Sequence, residues 1–373
     1  MSKKYLGLVA LLSLSGALSL YAGDNTTLQN AFKNGDISGA LNVYMERYNM
    51  SNSSQKDHGF TLGSVDLNYE TGSFKGFKAS LGFRGNHNIN QIKNGDYGNG
   101  SEPSAVLHTA NLSYTNDYFS IIFGRQEVNL EWLGDFHEAY MGIINAIPDT
   151  TITYIHSVSY DASASKNDAA LGRFDKTNGS NGIDAVDIKY DGLLVGMQLN
   201  GYYYYGRGLA NWYGGKITFD NDIFGFTTQY AKSHEKVSAT PDGSILALEV
   251  RANIKKAGLS AGYISTDKQG GVGSMTHAGD NINPLEDGNH VYDTNANTVY
   301  GSISYAIYSI DLSAMYGSTN YGNSNESELD IGLEYDGKNY FKNFEFEAKY
   351  INTNSNDITT DSNAIKAKII YSF

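Results

Sequence analysis

Cysteine is absent from the 373 residues, which excludes a disulfide framework, a thiolate nucleophile and any sulfur-ligated metal. Proline is scarce: Pro103, Pro148, Pro241 and Pro284 are the only four, so little of the chain is barred from a continuous backbone ladder. No apolar run reaches the roughly 20 residues that a membrane helix needs, and mean hydropathy is negative. A bundle of membrane helices is thereby ruled out. Basic residues are also short, with 27 Lys and Arg against 40 Asp and Glu and a formal charge of -13. That balance argues against a nucleic-acid partner, which needs a basic footprint to neutralise phosphates, and it favours cations over anions. What the chain has in excess is 41 Gly, 29 Tyr and 16 Phe, a composition of aromatic strands rather than of a helical globule.

Residues 1–22 read as an export signal, with Lys3 and Lys4 as the basic region, Leu6 to Leu20 as the apolar core and Ala22 as a small residue for cleavage. Residues 23–35 are expected to form a periplasmic arm containing a short helix that Asn34-Gly35 ends. From Asp36 to Phe373 one domain is expected, and its pattern has period two. Ile37, Leu41, Val43 and Met45 alternate with Ser38, Asn42, Tyr44 and Glu46; at the other end, Ile365, Ala367, Ile369 and Tyr371 alternate with Lys366, Lys368 and Ser372. One face suits hydrocarbon and the other suits water. An ordinary edge strand of a soluble sandwich would show the same alternation. A final Phe373 instead fits a barrel that closes its last strand on its first, and marks that residue as an expected signal for barrel assembly machinery.

Counted forward, the alternation gives about eighteen strands. The links between them alternate between tight ones, such as Thr71-Gly72-Ser73, Asn116-Asp117 and Asp191-Gly192, and longer ones at 49–58, 87–103, 128–137, 160–181, 233–242 and 267–293. Short turns on one rim and long loops on the other are the topology of an outer-membrane barrel with both termini in the periplasm. All four prolines fall in links, and Tyr69, Tyr114, Tyr118, Tyr190, Phe219, Tyr335, Tyr340, Phe344 and Tyr371 gather beside the short turns as an interfacial girdle. The expected fold is therefore all-β: a transmembrane antiparallel barrel in the outer membrane of a Gram-negative bacterium, surrounded by lipid. Its lumen would pass small hydrophilic solutes and ions by diffusion.

A pore does no covalent chemistry, so the residues that matter narrow the lumen and set its field. The third long loop and its flanks hold Glu127, Glu131, Asp135 and Glu138, with Trp132, Leu133 and Phe136 among them to anchor it to the wall. Facing these acids, Arg84 and Arg251 have inward parity. Arg125 follows Phe119, Ile121 and Phe123 on the apolar parity, where a bulge is needed to turn it inward. Inward acids, including Glu46, Asp66, Asp187, Glu249, Asp330 and Glu334, outnumber inward bases, so a weak cation preference is expected. No cofactor is expected. The eight His are dispersed without an HExxH pair, and no catalytic metal is implied. Asp280, Glu286, Asp287 and Asp293 are candidate Ca²⁺ ligands, although their spacing is not that of an EF-hand. Two other classes compete with the pore. A barrel enzyme would use His137 with Asp135, or His156, at the outer rim, and a structural or adhesin barrel would have its lumen plugged.

Gly124-Arg125-Gln126, then the inward loop, then Ala146-Ile147-Pro148-Asp149-Thr150, together with the opening Ala31-Phe32-Lys33-Asn34-Gly35-Asp36-Ile37-Ser38-Gly39, resemble the OprD-type porin family, in particular its epsilonproteobacterial Opr branch. The resemblance implies an eighteen-stranded channel for small solutes, and open porins of this kind are expected as homotrimers. The chain departs from the family's carboxylate channels, which line the lumen with a ladder of arginines. It has six Arg in all: Arg47, Arg84, Arg125, Arg173, Arg207 and Arg251.

Overall fold

The computed structural model describes residues 25–51, 56–98, 102–161, 171–337, 341–356 and 361–373. The expected leader, residues 1–22, lies outside the described residues, as does Tyr340 of the girdle.

Nineteen strands are present among the described residues. The first nine are β1 (Asp36–Met50), β2 (His58–Glu70), β3 (Phe77–Gln91), β4 (Ala105–Thr115), β5 (Phe119–Glu127), β6 (Phe136–Ile147), β7 (Thr150–Asp161), β8 (Asp175–Ser180) and β9 (Ile183–Tyr190). The rest are β10 (Met197–Gly206), β11 (Ala210–Asp220), β12 (Phe224–Glu235), β13 (Ser244–Ile254), β14 (Ala257–Thr266), β15 (Asn297–Ile307), β16 (Ile310–Tyr321), β17 (Ser324–Tyr335), β18 (Phe344–Ser355) and β19 (Ser362–Ser372). Neighbours pair antiparallel in sequence order, and β1 pairs with both β2 and β19, so the sheet is closed.

The wall nevertheless has eighteen positions. Ser159 of β7 pairs with Lys176 of β8 and Ser157 with Ile183 of β9, so β8 and β9 share one position, interrupted where Gly179 and Gly182 take φ of 55° and 66°. A side chain is disfavoured in that conformation, and glycine adopts it freely. This short β8 lies inside a stretch that the alternation alone assigns to a loop.

Closure is completed by backbone. Gly39 and Phe373 exchange N–H···O bonds of 2.9 and 3.0 Å, and a Cβ on Gly39 would come within 2.7 Å of the Phe373 ring. Along this seam Leu41, Val43, Ile365 and Ile369 are exposed, whereas Asn42 and Tyr44 are buried. The outer surface is therefore apolar and the inner surface polar, as the alternation predicts. Beside the short turns, the rings of Phe77 and Tyr114, Tyr114 and Phe119, and Phe344 and Tyr371 lie 4.9, 5.7 and 4.8 Å apart.

The arm before β1 contains the helix α1 (Leu28–Lys33), N-capped by Thr27. It is tied to the β2–β3 turn by the Gly72 N–H on the Ala31 carbonyl and to β2 by the Tyr69 hydroxyl on the Phe32 carbonyl, at 2.9 and 2.6 Å.

Candidate pore constriction

The third outward loop (128–135, L3) joins β5 to β6 and enters the lumen as a tight hairpin. The Val128 N–H donates to the Asp135 carbonyl at 2.7 Å, and that of Leu130 to the Leu133 carbonyl at 2.9 Å. Its apolar tip reaches the wall at β10 and β11. Trp132 and Leu133 are fully buried in one cluster with Tyr202, Tyr204 and Trp212. The Trp132 amide donates to the Tyr204 hydroxyl at 3.2 Å, and the indole of Trp212 stacks on the Tyr204 ring at 5.8 Å. Glu131 is held by Lys216 of β11 at 3.0 Å. The expected anchoring by Trp132 and Leu133 is thus visible in atomic contacts.

The seventh outward loop (267–296, L7) comes inward as well, which the sequence reading missed. Val272, Met275, Ala278, Leu285 and Val291 join the same cluster. L3 and L7 hold one another: the Gly134 N–H donates to the Ala278 carbonyl at 3.1 Å, and the Asn281 side chain to the Leu130 carbonyl at 3.2 Å. Leu285 is seated where Gly317 of β16 leaves room, since a Cβ there would lie 2.6 Å from the leucine. The signal was available. A loop that stayed in water would have no use for five apolar side chains spread through a glycine- and acid-rich stretch.

Four carboxylates projected as a calcium site end up apart. Glu286 is held by Lys349 at 2.7 Å and Asp287 by Lys366 at 2.9 Å. Asp293 accepts from His290, and Asp280 accepts from the Tyr292 hydroxyl. Among the described residues no three His, Cys, Asp or Glu gather closely enough to hold a metal. Burial raises the Glu286 carboxyl, and the Lys349 and Lys366 ammoniums more than offset it, holding the group below its ordinary value.

The other predicted residues separate into lumen and rim. Glu127 and Asp135 lie together with Asp280 and Asp161 where L3 meets L7. Arg84 is fully buried on the inner wall, across from Asp66 in register. Arg251 pairs with Glu249 and with Asp220, 2.5 and 3.3 Å away, at the short-turn end of the barrel. Arg125 and Glu138 do not face the lumen. They pair in register two residues beyond Phe123 and Tyr140, a cross-strand pair exposed on the outer face. Gly124 has φ 117°, yet Arg125 keeps that outer parity, 3.7 Å from Glu138 and 4.2 Å from the centre of the Phe174 ring.

Neither histidine of the enzyme alternative makes a catalytic pair with Asp135. His137 is fully buried between the Ser157 hydroxyl and the Gly134 carbonyl, 2.7 and 2.8 Å away, and it pins L3 to the wall. His156 bonds Asp184 at 3.0 Å.

The residue most sensitive to pH in L3 is Asp135. Burial, then the charges of Glu127, Asp161 and Asp280, push its carboxyl up from 3.8 to about 6. A carboxyl raised by folding favours the docked loop fully below its ordinary value, and that contribution is lost as pH rises through about 6. Lowering pH from 7 to 4 is therefore expected to tighten L3 docking, by at most about a hundredfold for a two-unit shift. Asp135→Asn should abolish that dependence. Channel noise recorded across the pH range in lipid bilayers checks it, and an identical profile in wild type and variant would count against this role.

No family model matches the chain, and no curated protein matches it by sequence. Solved structures are similar in fold. OccAB4 of Acinetobacter baumannii is 12% identical with a TM-score of 0.72, over 92% of this chain and 99% of that one. OccK3 (OpdO) of Pseudomonas aeruginosa gives 11% and 0.74 over 93% and 97%, and OccK9 (OpdG) of the same organism gives 12% and 0.74 over 92% and 99%. The likeness extends over almost the whole length of each, and it establishes the closed eighteen-position antiparallel barrel.

Proposed function

We propose that the chain is an outer-membrane diffusion channel for small hydrophilic solutes and ions, with a weak preference for cations and a constriction built by L3 and L7 together. The observation that carries this reading is the opposition of the two surfaces: an apolar exterior, and an inner wall lined with ionised side chains where two loops meet. The Occ and Opr designations of the similar structures belong to the OprD-type porins, which supports the same reading and the resemblance to that family.

Charge balance supports the cation preference. On the inner wall Lys78, Lys216, Arg251, Lys349, Lys366 and Lys368 each meet a carboxylate. Strand β17 adds a row of acids on one parity, Glu326, Glu328, Asp330 and Glu334. The paired cations contribute little net field, and the row leaves the lumen negative.

Reconstituted protein is expected to give stable single-channel steps, with a reversal potential of the sign that marks cation preference under a salt gradient. Silence would sink the channel, and the opposite sign would sink the selectivity.

A further inference from the structure

We propose that the outer ends of β10 to β12, with the groove beneath them, form a binding site for a phosphate-headed membrane lipid on the exterior of the barrel. This rests on the membrane orientation inferred above, in which the long loops mark the outer rim.

The headgroup end is a row of bases on the lipid-side parity. Along β12 that parity carries Phe224, Phe226 and Tyr230, apolar rings fit for hydrocarbon, and then changes to Lys232, His234 and, one step past the strand, Lys236. Lys232 pairs with Tyr213 and His234 with Asn211 of β11, so the row borders the tyrosines of the outer interface. The Lys236 ammonium lies 4.2 Å from the centre of the Tyr205 ring and bonds the Asn211 side chain at 2.5 Å, which fixes its height at the end of β10. Arg207, in the short link beside it, is exposed. Two acids stand among them: Asp242, 3.1 Å from His234, and Asp184 of β9, which pairs in register with Tyr205 and is held by His156 at 3.0 Å. In a chain with a formal charge of -13, this positive edge next to the hydrocarbon band is a local reversal of sign. Long basic side chains there lay their stems on apolar surface and present their charge at the depth of lipid phosphates.

The acyl end is a notch. Gly201 of β10 and Gly215 of β11 are cross-strand neighbours on the same outward parity as Tyr203 and Tyr213. A Cβ on Gly201 would meet nothing within 4 Å. The missing side chain at Gly201 contributes to a groove of about 450 Å³ on β9 and β10, lined by Val186, Ile188, Tyr190, Leu199, Gly201 and Tyr203. From Gly201 to Tyr205 the strand rises about 13 Å, so a lipid whose phosphate meets Lys236 has its chain running down into the notch. The groove is continuous with the lipid-facing band and ends upward at Tyr205, capped by Lys236, beside Asp184, which His156 holds. With Lys232 and Arg207 the bases outnumber the acids there, which selects an anionic lipid over a neutral one or a second protein.

The test uses the full chain purified in detergent and exposed to phosphatidylglycerol or phosphatidylcholine of the same acyl composition, with bound lipid counted by native mass spectrometry. Wild type should retain the anionic lipid preferentially. K232Q/K236Q should lose roughly thirtyfold in that preference, about fivefold for each lysine. Gly201→Leu should weaken retention of phosphatidylglycerol while keeping the remaining preference for its headgroup. Equal retention of the two lipids by wild type would overturn the site. So would displacement by inorganic phosphate together with an unaffected Gly201→Leu, which would mean that phosphate alone is recognised. Because these side chains face lipid, single-channel steps should be unchanged in both variants. Loss of steps in every protein including wild type would refute the channel and leave the lipid result standing.

Discussion

Replacing Trp132 with alanine is expected to free L3 from the wall, raising single-channel conductance and adding frequent transitions between open levels. Trp132 is fully buried among Tyr202, Tyr204 and Trp212, and truncating a buried Trp typically costs about 3–5 kcal/mol. The loop's other tethers to β10 and β11 are weaker. The Trp132 N–H on the Tyr204 hydroxyl and the Glu131–Lys216 pair are each worth about 1 kcal/mol net, so the indole carries most of the docking. The barrel itself should survive, because its ladder of strand pairs does not pass through this side chain. Unchanged heat-dependent migration on a gel would show that. Trp132→Phe, which keeps a ring in the cluster, should fall between the two. A variant with wild-type conductance and noise would mean that the indole is dispensable and that L3 is held by Ala278 and Asn281 of L7 together with His137 and Lys216.

Most of the wall was legible in the sequence because a barrel strand is read by two solvents at once, and the resulting alternation survives without any knowledge of neighbours. The eighteen expected strands correspond to the eighteen wall positions, with ends that differ by a few residues. What failed depends on contacts made at a distance. Residues 175–180 form β8 only because Ser159 and Tyr160 of β7 offer an edge there, and nothing local in Asp175–Ser180 alternates. L7 looked like a solvated loop since glycine and acids dominate it, and its seat is a space left at Gly317, far along the chain. Arg125 and Glu138 were placed with the constriction for their charge, although parity put Arg125 outside; in the structure parity prevails and the two satisfy each other. Glu326 and Glu328 were also passed over, although they fall inside the strand expected over 326–336 and share the parity of Asp330 and Glu334, so the upper half of the acidic row went uncounted.

That row supports the second large effect. Glu326→Gln, Glu328→Gln and Asp330→Asn made together are expected to shift the reversal potential strongly toward anions. Successive acids on one parity stand about 7 Å apart, and a unit charge at that distance in water attracts a passing cation by about 0.6 kcal/mol. Glu328 and Asp330 hydrogen-bond one another and so share a proton, and the two net charges of Glu326 and that pair multiply cation partitioning up to roughly eightfold before screening. Screening is the reason to record at low salt, because the Debye length is already about 10 Å at 0.1 M. The complication is mechanical. Glu328 accepts the N–H groups of Asp287 and Gly288, at 3.0 and 2.9 Å, and Asp330 accepts that of Glu286 at 3.4 Å, so the same acids hold the tip of L7. An amide at 330 keeps a carbonyl oxygen for its donor, whereas one at 328 has a single carbonyl oxygen for two N–H groups that now meet different oxygens, so one of them loses its partner. Lys349 and Lys366 still hold Glu286 and Asp287. Loop displacement would change conductance at every salt concentration, whereas loss of charge alone changes the reversal potential and fades as salt rises. A triple variant that retains wild-type selectivity at low salt would move the source of the field away from β17, to the carboxylates of Glu127, Asp135 and Asp280 where L3 and L7 meet.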